Sequence, residues 1–228
     1  RRGVFLRHFG LSRAQFFTHT DITPKSIGRR DEELPLESRT TTGLDQLYET
    51  LQTLSGKEKG LRKLPPVDDW SPADSADIGM EIRKDGSWWH EGTKFSRQKL
   101  VDLFSTILRK DLDGSTYLVT PYEKVIVHVE DAPFIGVRVD KALQGEEPVL
   151  VVTTNLGESV EISKEHPLRV EVDEETGEPS PYVLIRGRLE AKLTRPAFYE
   201  LVELAETRDE ALYVRSHGAD FLIGSLEE

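Results

Sequence analysis

Cysteine is absent from the 228 residues, which excludes disulfide frameworks, thiolate nucleophiles, iron–sulfur clusters and Cys-based zinc sites together. That absence fits a reducing, cytoplasmic setting. No apolar run approaches the roughly 18 residues that a membrane-spanning helix needs. Positive charge is also scarce: 30 Lys and Arg stand against 41 Asp and Glu, for a net of −11. This balance opposes binding to nucleic-acid phosphates or to anionic lipid. Recognisable catalytic motifs are missing too. There is no P-loop, no G-x-G-x-x-G opening a helix after a strand, and no G-x-S-x-G elbow. The six histidines show no metal-ligand spacing, so neither a metal nor a cofactor is expected.

What charge there is lies unevenly. Residues 1–30 carry seven bases and one acid, while the remainder has a net charge of −17. A basic head on an acidic body admits a targeting presequence, a nucleic-acid-binding arm, or residues outside the folded protein. The last reading carries most weight, because the first residue is Arg1 and the single methionine is Met80. Residues 1–42 are therefore expected to form a basic, disordered head.

Periodicity organises the rest. Leu44, Leu47, Tyr48, Leu51 and Leu54 recur at helical spacing up to Gly56. The prolines between Leu64 and Pro72 then forbid regular structure and suggest a strap laid over the domain. Short strands follow from Met80 to Arg83 and from Ser87 to His90, punctuated by Asp85-Gly86 and Glu91-Gly92. Ser96 offers an N-cap hydroxyl to a helix with Leu100, Leu103, Phe104, Ile107 and Leu108 on one face, running to Asp113-Gly114. Beyond it, Tyr117 to Thr120 and Lys124 to Val129 form a hairpin around Pro121. Phe134 to Val139 is a strand, and Lys141 to Pro148 a polar connection. Five further strands, Val149 to Thr153, Ser159 to Ile162, Leu168 to Val172, Tyr182 to Arg186 and Leu189 to Leu193, lead to a helix capped by Thr194 with Pro196 in its first turn, and then to a hairpin through Ser216-His217-Gly218.

An internal repeat stands out. Lys94 to Phe104 aligns without a gap with Lys192 to Val202, keeping the Lys, the cap hydroxyl, the Arg and a Leu. The expected architecture is α+β: two related small subdomains, each a curved, mostly antiparallel sheet packed on one helix, with an N-terminal helix and a Pro-rich strap. Residues 43–130 would hold the helix, the strap and the first subdomain, and residues 131–228 the second, strand-richer one.

Several ordered stretches carry a resemblance: Leu64-Pro65-Pro66-Val67 with Trp70 and Pro72, Lys84-Asp85-Gly86-Ser87-Trp88, Leu103 to Arg109, Leu118-Val119-Thr120-Pro121, Val129 to Phe134, and His166 to Val170. On these the chain, from about Leu44 to Leu226, resembles a proteobacterial family of uncharacterised proteins, domain-of-unknown-function family 1285. The resemblance implies two related α+β subdomains and a suggestion of ligand sensing or signalling. It implies no known reaction.

The leading functional expectation is a non-catalytic cytoplasmic module that binds a small anionic ligand or a protein segment in a groove between the duplicated halves. Candidate contacts are Trp88, Trp89, Arg97, Tyr122 and Arg195. The tryptophans and Tyr122 offer aromatic surface, and the two arginines each follow a cap hydroxyl in a helix's first turn, where the peptide dipoles favour an anion. For each of these residues a purely structural role competes. Two alternatives stand beside the leading one: an enzyme using carboxylates or His90 for acid–base chemistry, and an adaptor pairing through sheet edges such as Phe134 to Val139. Ser216, His217 and Asp220 share one hairpin turn and read as turn chemistry, since a triad needs side chains converging from separate elements. Oligomeric state and partner identity are not encoded in any recognisable motif.

Overall fold

A computed structural model describes residues 64–225, together with Leu44, Leu47, Tyr48, Thr50 and Leu51. Those five residues are helical, and Leu47 and Leu51 are buried in the core; Leu54, Gly56 and the basic head lie outside the described residues. The Pro-rich stretch forms one 3-10 turn at Val67–Asp69. Arg109 holds it by donating from Nη1 to the Val67 and Trp70 carbonyls at 2.6 and 2.7 Å.

Three strands come first: β1 (Ser75–Ile82), β2 (Trp88–His90) and β3 (Thr93–Lys94). Helix α1 (Gln98–Thr106) links them to β4 (Leu108–Lys110), β5 (Thr116–Val119) and β6 (Lys124–Val129). Each trio is an antiparallel meander, and the two join where β6 runs parallel to β1, giving the order β3-β2-β1-β6-β5-β4. The next six strands are β7 (Phe134–Gln144), β8 (Glu147–Thr154), β9 (Ser159–Glu161), β10 (Leu168–Val172), β11 (Pro179–Arg186) and β12 (Leu189–Leu193). They repeat the same order without an intervening helix, with β12 parallel to β7 at the centre. Helix α2 (Arg195–Glu203) then leads to a third meander of β13 (Glu206–Arg208), β14 (Ala211–Ser216) and β15 (Ala219–Ser225). Both six-stranded sheets are thus mixed, antiparallel except at their central pair.

The segments that match in sequence each form a helix between two meanders, but not in equivalent sheets: α1 links the two meanders of one six-stranded sheet, whereas α2 links the second sheet to the separate three-stranded one. The closure differs. In the first half β6 pairs with β1, whereas β15 lies beside β10 without sharing a ladder. The helix ends also depart from expectation. Arg97, not Ser96, is the N-cap of α1, and its side chain makes no capping bond. The helix stops at Thr106, where the Ser105 and Thr106 hydroxyls bond back to the Asp102 and Leu103 carbonyls, a competition that weakens a helix end. Leu108 therefore belongs to β4, and Asp113-Gly114 is the tip of a β4–β5 hairpin, with Gly114 at φ +85°. Lys141 to Pro148, expected as a polar connection, is the closed end of the β7–β8 hairpin, paired up to Gln144 and Glu147. In α2 the Thr194 hydroxyl does accept from the Ala197 N–H.

One apolar core runs through both halves, from Met80, Trp88 and Phe104 to Phe134, Val183 and Leu201. The junction is packed instead of open. Gly86, at φ +76°, leaves no room for a Cβ, which would lie 2.7 Å from Ile135 Cγ1 and 2.9 Å from Asn155 Nδ2. Phe134 to Val139 is no free edge either: β12 and β8 flank its ends, and the Val139 N–H donates to Glu200 of α2 at 2.9 Å.

Candidate functional site

The largest concentration of expected contact residues lies where β2, β3 and the start of α1 meet. Glu91 and Gly92 take positive φ and turn β2 tightly into β3. Strand alternation sends Trp88 and His90 to the core side of the sheet and Trp89 to the other. Phe95 follows β3 and packs toward His90, with ring centroids 6.4 Å apart. Between these elements lies an open hollow of about 390 Å³ with Leu44, Phe95 and Leu100 as its apolar lining and His90, Glu91 and Arg97 among its polar groups. Arg97 is exposed and, among the described residues, its guanidinium has no ion pair or hydrogen bond. Lys94 touches the hollow at its edge but sits opposite Trp89 across the β2–β3 ladder. Its charge also reaches Asp85, whose carboxyl is held below the usual range chiefly by the Ser87 hydroxyl and N–H.

The other candidates are dispersed. Trp88 is 2% exposed and stacks on Phe104 at 6.5 Å, so it is a core residue and not a surface contact. Trp89 is half-buried and engaged by its own sheet: Arg83 lies 3.6 Å from its ring, and its indole N–H donates to Ser87 Oγ at 2.7 Å. Tyr122 is 76% exposed on the β5–β6 turn, where Thr120 Oγ1 accepts from the Tyr122 and Glu123 N–H groups. Arg195 is ion-paired with Glu178 on the β10–β11 loop. Neither of the two principal hollows contains Arg195, so the two repeat arginines do not share a site.

The second hollow, of about 700 Å³, lies between β9 and the β14–β15 turn. There His217 Nε2 meets Glu161 Oε2 at 2.7 Å, and His166 Nδ1 meets the Leu184 carbonyl at 3.0 Å. Glu165 on its rim is held below its ordinary pKa by its own backbone N–H and by Ser163. The neighbours Ser216, His217 and Asp220 engage separate partners: Ser216 Oγ donates to the Ile162 carbonyl, and Asp220 accepts from Arg208. Among the described residues no group of three or more His, Asp or Glu side chains is placed to hold a metal ion. No described helix is long and apolar enough to cross a membrane.

Three contributors carry no signal in the sequence. Phe95 precedes α1 and Leu100 belongs to its apolar stripe, and neither position reveals which apolar residue stops at a rim. Arg186 ends a strand like any polar residue, yet its guanidinium reaches helix α1 of the first half.

Family models cover most of the described chain. Residues 65–132 match the N-terminal domain, and residues 133–223 the C-terminal domain, of DUF1285, a family of unknown function. The chain is similar to a crystallised DUF1285 family protein from Silicibacter pomeroyi DSS-3, with 39% identity over 77% of this chain and 95% of that one, and a TM-score of 0.67. It is also similar to a DUF1285 family protein from Shewanella baltica OS155, with 30% identity over 55% of this chain and 91% of that one, and a TM-score of 0.44. No curated protein matches. With both domain models matched in order along one chain, this protein belongs to the DUF1285 family.

Proposed function

We propose that this chain is a non-catalytic, cytoplasmic recognition module that binds a small organic anion in the hollow at His90, Phe95, Arg97 and Leu100. The division into a head, 1–42, and two subdomains, 43–130 and 131–228, belongs to the same proposal. The observation that carries it is the Arg97 guanidinium, without a partner among the described residues, beside an apolar lining in a chain of net charge −11. Most other described arginines meet a carboxylate within their own surroundings, such as Arg109 with Asp111 and Arg169 with Glu190. A cation left unpaired amid excess acid is available to a ligand, and a guanidinium matches carboxylate or phosphate oxygens in a bidentate fork. The apolar surface of Phe95 and Leu100 favours a ligand whose charge is carried on an apolar body. The chemistry is therefore that of an aryl or acyl carboxylate or a phosphate monoester, in keeping with a sensing role.

Calorimetric titration with phenyl phosphate, inorganic phosphate and phenol tests this reading. Phenyl phosphate should bind more tightly than either fragment, and Arg97→Ala should weaken it about tenfold, the order of one charge-assisted hydrogen bond. Equal binding to wild type and Arg97→Ala, or no heat up to millimolar phenyl phosphate, would contradict it.

A further inference from the structure

Helix α1 runs from this hollow to the joint between the two sheets. Arg97 and Leu100 at its beginning border the hollow. At its other end the Ser105 carbonyl accepts a hydrogen bond from Arg186 Nη2, on β11 of the second sheet. Arg186 also donates from Nη1 to Glu158 Oε2 at 2.8 Å and lies 5.2 Å from the centre of the Phe134 ring. Its side chain is only 17% exposed. Between the two ends, Phe104 of α1 meets Trp88 at 6.5 Å and Phe95 edge-on at 5.8 Å, and Phe95 is itself part of the hollow's lining.

This arrangement has an energetic consequence. A nine-residue helix is too short to be stable alone, and α1 lacks a side-chain N-cap. Core packing of Val101 and Phe104 holds its middle, so the order of its two ends depends on what meets them there. A cation at the last carbonyls and an anion near the first turn both complement the helix dipole, each stabilising the same ordered conformation. Two anchors that each contribute to one ordering cost reinforce one another.

We propose that α1 couples occupancy of the hollow to the Arg186 joint, so that anion binding tightens the contact between the two halves and the joint in turn strengthens anion binding. This coupling rests on the reading of the hollow as an anion site. Its sign is positive and, as for any linkage of two binding equilibria, reciprocal.

The test uses the full chain with phenyl phosphate as probe, in two measurements. Calorimetry compares wild type with Arg186→Met, and amide hydrogen exchange follows wild type with and without the probe. The coupling predicts at least about fivefold weaker binding by Arg186→Met, the lower range for allosteric pairs. It also predicts that the probe slows exchange at residues 103–107, at the other end of α1, and at residues 184–186 on β11 of the second sheet. Binding within twofold of wild type in a folded Arg186→Met, or exchange that changes only at residues 90–100, would overturn the coupling while leaving the anion site intact. If Arg186→Met does not fold, the exchange measurement on wild type alone decides. Absence of probe binding to wild type would instead overturn the anion site, and the coupling with it.

Discussion

Asp131 shows how single side chains tie this molecule together. It lies just after β6, where the chain passes to the second sheet, and accepts from the Tyr182 hydroxyl at 2.9 Å and Lys192 Nζ at 2.7 Å. Burial alone would raise its pKa, but the Lys192 and Tyr182 bonds outweigh that effect and hold it below the ordinary 3.8. A carboxyl depressed in the folded state contributes stability that is complete above its unfolded pKa and lost as pH falls through the folded value. Asp131→Asn is therefore expected to cost about 1–3 kcal/mol near neutral pH. Urea unfolding of both proteins checks this, with the difference shrinking as pH falls below the ordinary 3.8. Residue roles were only partly legible in the sequence. The sequence places Arg97 in a helix's first turn, one residue beyond its actual N-cap position, and Trp88 and Trp89 cannot be assigned to core or surface until the register of β2 against β1 is known. That pairing of Ile82 with Trp88 is set by the geometry of the turn through Gly86, which alternation alone does not give.

At the scale of elements, the two helices invite a direct comparison. Sequence alone gives them matching cap hydroxyls, yet only Thr194 caps. Thr194→Ala should destabilise by about 1 kcal/mol, and Ser96→Ala by less than about 0.5 kcal/mol. Thermal or urea unfolding of the two variants distinguishes them, and equal losses would contradict the observed caps. Strands β10 and β12 are readable to the residue because alternation and turn glycines agree there. β4 is hidden, since Leu108 continues the apolar stripe of α1 by chance and only its pairing with Leu118 makes it a strand. The β7–β8 hairpin is hidden for a different reason. Its exposed end, from Asp140 to Glu147, carries polar residues on a strand that covers little core.

For the whole molecule, the repeat in sequence points to duplication, but the two sheets of like order carry the repeated helix at different places, and the sequence does not show how they meet. An open groove is what juxtaposed halves suggest; contacts such as Gly86 on Ile135 fill it instead. That joint can be measured against a glycine that shares its backbone strain but not its packing. Gly86 and Gly114 both have positive φ, but only Gly86 faces neighbours where a Cβ would stand. Gly86→Ala should therefore lose about 1–3 kcal/mol more than Gly114→Ala, the added cost of overpacking. Because one core spans both sheets, wild type should also unfold in a single transition followed identically by tryptophan fluorescence and circular dichroism. The central claim, that the hollow beside α1 receives an organic anion, is tested most directly by mapping amide chemical shifts while phenyl phosphate is added. The largest changes should fall between His90 and Leu100 and need about tenfold more probe to appear in Arg97→Ala; changes centred on Ser159 to His166 and His217, or none at all, would contradict it.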